Sequence, residues 1–254
     1  HRRAGRHGPA RPPPPGPRCG DQSGRTRLLS AVCGRYSLAT PAANDLRSRF
    51  LLGEALEIRQ RFNVAPGDDV VALTTTKEGE PRGELLRWGL VPFWAKEPKV
   101  GYKMINARAE TVAEAPAFRD AFQTHRCLIV ADGFYEWRAE ETGKKPVWIT
   151  RPSHEPFAFA GLWAAASRQD GSSIHSCAIV TCEPGEVVAP IHDRMPVILD
   201  QDGEAAWLDR AASPEELQDL LVPTDALVVT EVSDAVNDVR QDGPALIEPP
   251  LRLF

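Results

Sequence analysis

The sequence lacks long apolar runs and paired cysteines. No stretch is long enough to cross a membrane, and the basic residues 1–32 lack the sustained apolar segment of a secretory signal. The five cysteines form no Cys-x-x-Cys pair, and Cys177 and Cys182 are isolated from other candidate ligands. An odd number without paired spacing argues against a disulfide framework and against a zinc site. We therefore expect a cytoplasmic protein of a reducing compartment that uses no metal and no cofactor.

A net positive charge is also missing. The chain carries 30 Lys and Arg against 35 Asp and Glu, which gives a net charge of −5. Residues 1–32 hold seven Arg and one Asp, so the remaining residues have 23 basic and 34 acidic side chains and a net charge of −11. Proteins that bind nucleic acids are usually basic. Any binding to DNA would therefore depend on a local basic patch and not on the overall field.

The first 32 residues differ in composition from the rest. They contain six Pro and five Gly and have only a short apolar end. Such a segment cannot bury enough surface to offset its chain entropy. We predict that residues 1–32 are disordered or a mis-annotated leader absent from the mature protein, and that residues 33–254 form one domain.

Cys33 stands where the patterned sequence begins. If translation starts at Val32, with a GTG codon read as Met, removal of that Met leaves Cys33 at the N-terminus. An N-terminal cysteine carries a thiol and a free α-amine on one carbon frame, and that pair reacts with aldehydes. The ordinary alternative is a small buried apolar side chain.

The pattern along residues 33–254 favours an α+β domain built on a curled, mainly antiparallel sheet with a barrel-like core and short helices. A helix is predicted from Thr40-Pro41, with Leu46, Phe50 and Leu51 at helical spacing. A second is predicted over Ala113–Thr124, and the capping box Ser213–Glu216 opens a third. Short β-branched or aromatic runs bounded by Gly, Pro and Asp predict strands. These are Asp69–Thr75, Leu85–Leu90, Arg126–Ala131, Val147–Thr150, Phe157–Trp163, Cys177–Thr181, Pro196–Leu199 and Ala226–Val232.

Several segments combine polar and aromatic residues in ways that are unusual for a plain core. They are Cys33-Gly34-Arg35-Tyr36, Asn63-Val64-Ala65-Pro66, Trp88-Gly89-Leu90-Val91-Pro92-Phe93-Trp94, Asn106-Ala107-Arg108-Ala109-Glu110-Thr111, Gly133-Phe134-Tyr135-Glu136-Trp137 and His192-Asp193-Arg194-Met195-Pro196. Singly, each has an ordinary interpretation as packing, a solvated strand face or a structural histidine. Burial of Glu136 among its aromatic neighbours would raise its pKa.

Together and in this order, the six segments resemble the SRAP (SOS response-associated peptidase) family of abasic site processing proteins. The resemblance covers about residues 33 to 250 and includes the tail segments 236–239 and 243–249. It implies a bacterial DNA-repair protein, monomeric and nucleoid-associated when bound. Its substrate would be single-stranded DNA with abasic sites, including sites at junctions with a duplex.

The resemblance also implies a role for each matching residue. The amine and thiol of Cys33 would close a thiazolidine on the aldehyde of an abasic sugar, a DNA–protein crosslink with possible lyase and autopeptidase activity. Glu136 would act as acid and base, Asn106 would orient the sugar and the cysteine, and His192 would transfer protons. A further set would contact DNA: Arg35, Arg108 and Arg194 at phosphates, and Pro66, Phe93 and Trp94 at bases.

One departure from the family pattern matters. In the sequence as printed, Cys33 follows 32 residues and its nitrogen is an amide. The thiazolidine therefore requires either a start at Val32 or proteolytic removal of the extension. Two alternatives stay open: a self-processing cysteine peptidase with Cys33, Glu136 and His192, and a binder of single-stranded DNA without catalysis.

Overall fold

The computed structural model describes residues 34–40, 43–95, 98–168 and 170–250. Cys33, the proposed leader and Pro41 of the predicted helix start lie outside these described residues. Within them, no helix has the length and apolar character needed to span a bilayer.

Strands dominate the described part of the chain. They are β1 (Tyr36–Leu38), β2 (Arg61–Val64), β3 (Asp69–Thr75), β4 (Pro81–Trp88), β5 (Asn106–Arg108), β6 (Arg126–Ala131), β7 (Gly133–Glu140), β8 (Gly143–Thr150), β9 (Phe157–Ser167), β10 (Ser173–Cys182), β11 (Met195–Pro196), β12 (Ile198–Leu199) and β13 (Val228–Glu231). The α-helices are α1 (Ala43–Phe50), α2 (Arg119–Thr124), α3 (Gln201–Leu208) and α4 (Pro214–Asp219). Three 3₁₀ turns cover Pro98–Lys103, Asp234–Asn237 and Pro244–Leu246.

Five strands close into a barrel. Going round it, β4 pairs with β3, β3 with β6, β6 with β9 and β9 with β10, all antiparallel. The ring is completed where β10 runs parallel to β4. Beyond that point β10 continues past the barrel, with β5 on one side and β11 on the other. The end of β10 is therefore where β5 and the chain before β11 meet.

A second, five-stranded sheet packs against the barrel in the order β13-β8-β7-β1-β2. Tyr36 of β1 lies between the two layers, with its ring 5.3 Å from that of Trp88 and 5.7 Å from that of Phe159. The main core fills the barrel and this interface. A smaller core of Tyr135, Trp148, Val232, Val236 and Leu246 lies on the other face of the five-stranded sheet. The sheet is thus covered on both faces.

The predicted fold class is confirmed, and each predicted strand coincides with observed strand residues. The capping box is also confirmed, because the Ser213 hydroxyl accepts from the Glu216 N–H and the Glu216 carboxylate accepts from the Ser213 N–H. Such a cap depends on residues three apart, so the local sequence is sufficient to specify it.

Two helix predictions need correction. The helix expected over Ala113–Thr124 is confined to Arg119–Thr124. The chain before it forms turns, and Pro116 supplies no N–H to continue a helical ladder. Leu51 was expected on the buried stripe of the first helix, but α1 ends at Phe50. Leu51 instead has φ 50° and its side chain is exposed, because the chain turns there.

Candidate active site and nucleic-acid interface

A buried carboxylate holds β1 in place at its C-terminal end. Asp132 accepts hydrogen bonds from the Ser37 hydroxyl (2.7 Å) and from the backbone N–H (2.6 Å) and hydroxyl (2.9 Å) of Thr40. The Trp148 indole N–H donates to the same Ser37 hydroxyl at 2.9 Å. This indole lies over Gly133, where a Cβ would collide with it. The strand that leads back to Cys33 is therefore fixed at several points.

Glu136 lies on β7, next to β1. Tyr36 pairs with Phe134, and the Tyr135 N–H donates to the Arg35 carbonyl oxygen at 3.0 Å. This antiparallel register continues toward Gly34 and Glu136. Glu136 is only 3% exposed and alternates with Tyr135, so it lies on the face of the sheet that Phe134 presents to the main core. A carboxylate is thus buried beside the beginning of the described chain.

A second group of predicted site residues gathers at the end of β10. Asn106 and Arg108 belong to β5, where Asn106 pairs with Ile179 and Arg108 with Thr181. Asn106 is half-buried, whereas Arg108 is exposed. The Arg108 guanidinium makes no hydrogen bond or ion pair with any other described residue. It is therefore available to a phosphate.

His192 lies beside this group with its side chain largely buried. Its Nδ1 accepts the Arg194 backbone N–H at 3.1 Å, which favours the neutral tautomer with the proton on Nε2. Asp193 Oδ1 also lies 2.9 Å from Nδ1, but that carboxylate is 90% exposed and screened by water. Burial lowers the pKa of His192 and outweighs the attraction of Asp193. Lys144 adds to the lowering, so the β7–β8 hairpin that carries Glu136 lies near His192.

Arg194 is buried and already has protein partners. Its guanidinium binds both carboxylate oxygens of Glu110, at 2.5 and 3.0 Å, and donates to the Thr181 carbonyl oxygen at 2.5 Å. The hydrogen bonds from Arg194 hold the pKa of Glu110 below its usual value, so this carboxylate stays ionised. A phosphate on the Nη1–Nη2 edge of Arg194 would have to displace Glu110, and the remaining donor, Nε, is buried with no acceptor among the described residues.

The described cysteine side chains are poor nucleophiles. Cys127 and Cys177 are fully buried, and burial raises the pKa of both thiols. Cys182 lies near Arg194 and Glu110, yet burial raises its pKa to about 11. At neutral pH all three remain thiols and not thiolates. They also form no disulfide with one another.

The three apolar residues predicted to contact bases all lie on or near the surface. Phe93 and Trp94 are 69% and 54% exposed, and Pro66 is half-buried. The loop that carries Phe93 and Trp94 begins at Gly89, which has φ 124° and passes so close to Gly101 that a Cβ would lie 2.7 Å from its carbonyl oxygen. Glycine is required there because neither the φ nor the space suits a side chain.

Sequence reasoning assigned no role to several residues that shape these sites. Glu110 lies in a quoted motif, but nothing local indicates its pairing with Arg194, 84 residues away. Asp132 and Asn63 act through contacts that are similarly distant in sequence. Near Pro66, Arg87 lies 5.7 Å over the exposed Tyr102 ring and donates to its hydroxyl. No sequence signal joins that pair either.

The described residues place the predicted catalytic and phosphate-contacting side chains in two groups. One contains Glu136 beside β1, with Arg35 on the opposite face of the sheet. The other contains Asn106, Arg108, His192 and Arg194 at the end of β10. In the parts of the chain that the structure describes, no group of three or more His, Cys, Asp or Glu side chains could hold a metal ion.

This sequence and fold correspond to a known class of protein. A family model described as "SOS response associated peptidase (SRAP)" matches residues 32–239. The chain is 42% identical over 224 residues to "Abasic site processing protein YoaM" of Bacillus subtilis, covering 85% of this chain and 98% of the relative. It is 31% identical to "Abasic site processing protein YedK" of Escherichia coli, covering 86% and 100%. A solved structure from Bacteroides thetaiotaomicron shares the fold, with a TM-score of 0.77 at 24% identity and coverage of 86% and 100%.

The chain therefore belongs to the SRAP family. The match to the family model and the similarity to YoaM and YedK each extend over most of the described residues.

Proposed function

We propose that this protein processes abasic sites in DNA by crosslinking itself to them through Cys33. The observation that carries the proposal is the buried carboxylate of Glu136 beside the start of β1. Cys33 precedes Gly34 by one peptide bond, so their Cα atoms are about 3.8 Å apart. The names of the relatives YoaM and YedK, both called abasic site processing proteins, support DNA with abasic sites as the substrate.

The proposed reaction joins one amine, one thiol and one aldehyde. An abasic deoxyribose exists in part as an open-chain aldehyde, and the α-amine of an N-terminal Cys33 adds to its carbonyl carbon. Loss of one water gives an imine, and the thiolate then adds to the same carbon while the nitrogen takes a proton. The product is a five-membered thiazolidine, with no oxidant or reductant consumed. An α-amine pKa of about 8 and a thiol pKa of about 8.5 leave part of each group reactive at neutral pH.

Three described side chains would assist these steps. Glu136 would donate a proton to the ring oxygen as the sugar opens and recover one from the anomeric hydroxyl, then donate one as water leaves and recover one from the thiol. Neutral His192, with its proton on Nε2, would exchange protons on the sugar side of the site. Asn106, on the strand beside His192, would orient the sugar and Cys33. If strand cleavage follows at the abasic site, His192 is the candidate base for that lyase step.

DNA binding would rest on a small part of the surface. Arg108 is the exposed cation among the three predicted arginines, whereas Arg35 and Arg194 could contact phosphates only through donors that their protein partners leave over. Pro66, Phe93 and Trp94 would stack against bases next to the lesion or at a junction with a duplex. Few phosphate contacts predict a shallow salt dependence of binding, with a slope of about −0.7 per phosphate on a single strand. We further propose that the protein acts as a cytoplasmic monomer on the bacterial nucleoid.

The test uses a chain that begins at Cys33 and a single-stranded oligonucleotide with one abasic site. We expect a heat-stable shifted band on a denaturing gel, with a mass equal to protein plus DNA minus one water. Cys33→Ala should abolish the band, as should a chain that keeps residues 1–32 and a blocked Cys33 nitrogen. Absence of the band with a folded protein that has a free Cys33 amine would refute the proposal.

A cysteine peptidase acting on its own extension is the second candidate. The family description includes the word peptidase, and Cys33, Glu136 and His192 would form its site. Incubation of the full chain followed by intact-mass measurement would detect cleavage before Cys33. Cleavage in wild type and not in Glu136→Ala would support self-processing as a step that precedes crosslinking. Cleavage of unrelated peptides without any DNA crosslink would favour the peptidase over the repair function.

A further inference from the structure

The C-terminal segment Ser233–Asp242, here called the clasp, is fastened to Arg35 on the outer face of the five-stranded sheet. Arg35 Nη1 donates to the Val236 carbonyl oxygen at 2.7 Å and to Asn63 Oδ1 at 2.8 Å. The guanidinium carbon also lies 5.8 Å over the Trp137 ring. Arg35 therefore joins β1 to β2, β7 and a segment about 200 residues further along the chain.

Asn63 extends this connection to the rest of the clasp. It is 1% exposed, and its Nδ2 lies within hydrogen-bond distance of three clasp carbonyl oxygens: Val236 at 3.3 Å, Asp238 at 3.1 Å and Gln241 at 2.8 Å. The Asn63 amide thus contacts two successive turns of the clasp, one before and one after Asp238. Because Arg35 donates to the other end of this amide, the position of the guanidinium depends on the clasp.

Two further contacts hold the clasp to the same strands. Trp137 Nε1 donates to Asn237 Oδ1 at 2.6 Å. Asp242 accepts from the Phe62 backbone N–H at 2.6 Å and from Arg61 Nε at 2.7 Å. The clasp is therefore attached in its middle and at its C-terminal end to the strands on either side of β1.

Of the five N–H donors of the Arg35 guanidinium, the two on Nη1 are committed to protein acceptors. Nη1 has two protein acceptors, and Nε is buried with no acceptor among the described residues. Burial lowers the pKa of Arg35, and the negative charge of Asp68 opposes this shift. Nη1 therefore has a fixed position, whereas Nη2 has no acceptor among the described residues.

The contacts of Arg35 restrict the backbone that leads to Cys33. Arg35 immediately precedes β1 and its side chain lies on the outer face, whereas the next side chain, Tyr36, belongs to the main core on the inner face. The Arg35 carbonyl oxygen accepts the Tyr135 N–H, which sets the register of β1 against the strand that carries Glu136. Arg35 is two residues from Cys33. Its side chain thus fixes the backbone that leads to the nucleophile from the face opposite to Glu136.

We propose that Arg35 is a positioning residue for Cys33, and that the clasp is the part of the chain that holds it. This inference rests on the proposed crosslinking function and assigns Arg35 a role other than phosphate binding. Without the clasp, the Arg35 side chain would lose its Val236 acceptor, and the N-terminal end of β1 would be held only by its pairing with β2 and β7, while Asp132 still held the other end. The nucleophile would then sample positions away from the abasic aldehyde.

The test separates binding from chemistry in chains that begin at Cys33. Arg35→Met removes the hydrogen bonds of Arg35 and keeps an apolar side chain on Trp137. We expect the crosslinking rate at saturating abasic DNA to fall about 10- to 100-fold, because small misplacements cost rates of this order. The Kd for the same DNA and its salt slope, measured in a Cys33→Ala background, should stay within about twofold of the parent value.

Arg108→Met is the matched control, because it is the same change at an arginine that no described residue binds. It should raise the Kd and make the salt slope shallower by about 0.7. Asn237→Ala is a milder test, since it removes one clasp contact on the face away from Glu136. It should lower the saturated rate in the same direction as Arg35→Met, and it remains informative if Arg35→Met unfolds.

Each outcome bears on a different proposal. No crosslink with the parent chain would refute the proposed function. A parent crosslink together with an Arg35→Met protein that shows a raised Kd, a shallower salt slope and an unchanged saturated rate would overturn the positioning role and restore phosphate binding. An unchanged rate in both Arg35→Met and Asn237→Ala would overturn it as well.

Discussion

The two-pronged ion pair between Glu110 and Arg194, here called the fork, provides a test of the electrostatics at the end of β10. Glu110→Gln keeps the shape of the side chain but removes its charge, and the amide can accept from only one side of the guanidinium. The loss is about one charge-assisted hydrogen bond, usually worth about 1.5–3 kcal/mol. Because the Glu110 side chain is 45% exposed, solvent screening reduces this to about 1–2 kcal/mol of unfolding free energy.

Thermal unfolding measures this loss directly. For a domain of this size, 1 kcal/mol corresponds to about 2–4 °C, so the midpoint should fall by about 2–8 °C at pH 7. Glu114→Gln is the control, because Glu114 is exposed on the same segment and should leave the midpoint unchanged. An equal midpoint in Glu110→Gln and wild type would show that the fork does not stabilise the fold, which would refute the reasoning.

The pKa of Glu110 adds a pH test with a definite sign. The pKa of the carboxyl group is lowered in the folded protein, so its stabilising effect is present above its ordinary value of 4.5. The effect is lost as pH falls through the lower folded pKa. The difference in stability between wild type and Glu110→Gln should therefore disappear in acid.

The same variant tests the phosphate role of Arg194. Without the competing carboxylate, Arg194 should bind a phosphate more readily. The Glu110→Gln protein should therefore bind single-stranded DNA more tightly, and its affinity should fall more steeply with salt. Unchanged binding together with a lowered midpoint would remove Arg194 from the DNA contacts and leave it a structural partner of Glu110.

Further outcomes follow from the site and its supporting loops. Gly89→Ala should destabilise the protein by about 1–3 kcal/mol more than Gly79→Ala in urea unfolding, because both positions have positive φ but only Gly89 faces a close carbonyl oxygen. Equal losses would contradict that contact. Cys182→Ala should keep the crosslinking rate, and iodoacetamide should not label Cys182 at pH 7, since burial raises the pKa of that thiol; labelling would show that it is accessible. Because the pKa of His192 is lowered, the part of the pH dependence of the crosslinking rate that is lost in His192→Gln should lie below pH 6.5, beneath the limb of the Cys33 α-amine; a loss confined to pH values above 6.5 would contradict the burial of His192.

The strands and helices show where local sequence was sufficient and where it was not. The capping box at Ser213 involves residues three apart, and both hydrogen bonds form as predicted. The strand Arg126–Ala131 was predicted with its observed bounds, because a continuous β-branched and apolar run is typical of a strand buried on both faces. In contrast, β5 and β7 were interpreted as motifs and not as strands. Their polar residues, Asn106 and Glu136 among them, obscure the alternation by which a strand is recognised.

The candidate site shows the same division. Residue types in their order were enough to name Glu136, Asn106 and His192, because a family resemblance depends on the order of motifs along one chain. The order of motifs does not predict the burial or the hydrogen-bond partners of these side chains. Burial on the inner face of a sheet, or a hydrogen bond from the Arg194 N–H to an imidazole, depends on which strands become neighbours.

The sequence by itself therefore determined the fold class, the family and the residue types available for chemistry. These follow from short-range patterns and motif order, which the printed chain contains in full. Only the tertiary structure decided that Arg194 is paired with Glu110, that Arg35 is held by a segment about 200 residues away, and that Arg108 remains exposed. The physical reason is that a guanidinium binds whichever acceptor the fold brings within about 3 Å of it. That acceptor is set by the closure of the barrel and the path of the clasp, and not by the residues next to the arginine in the chain.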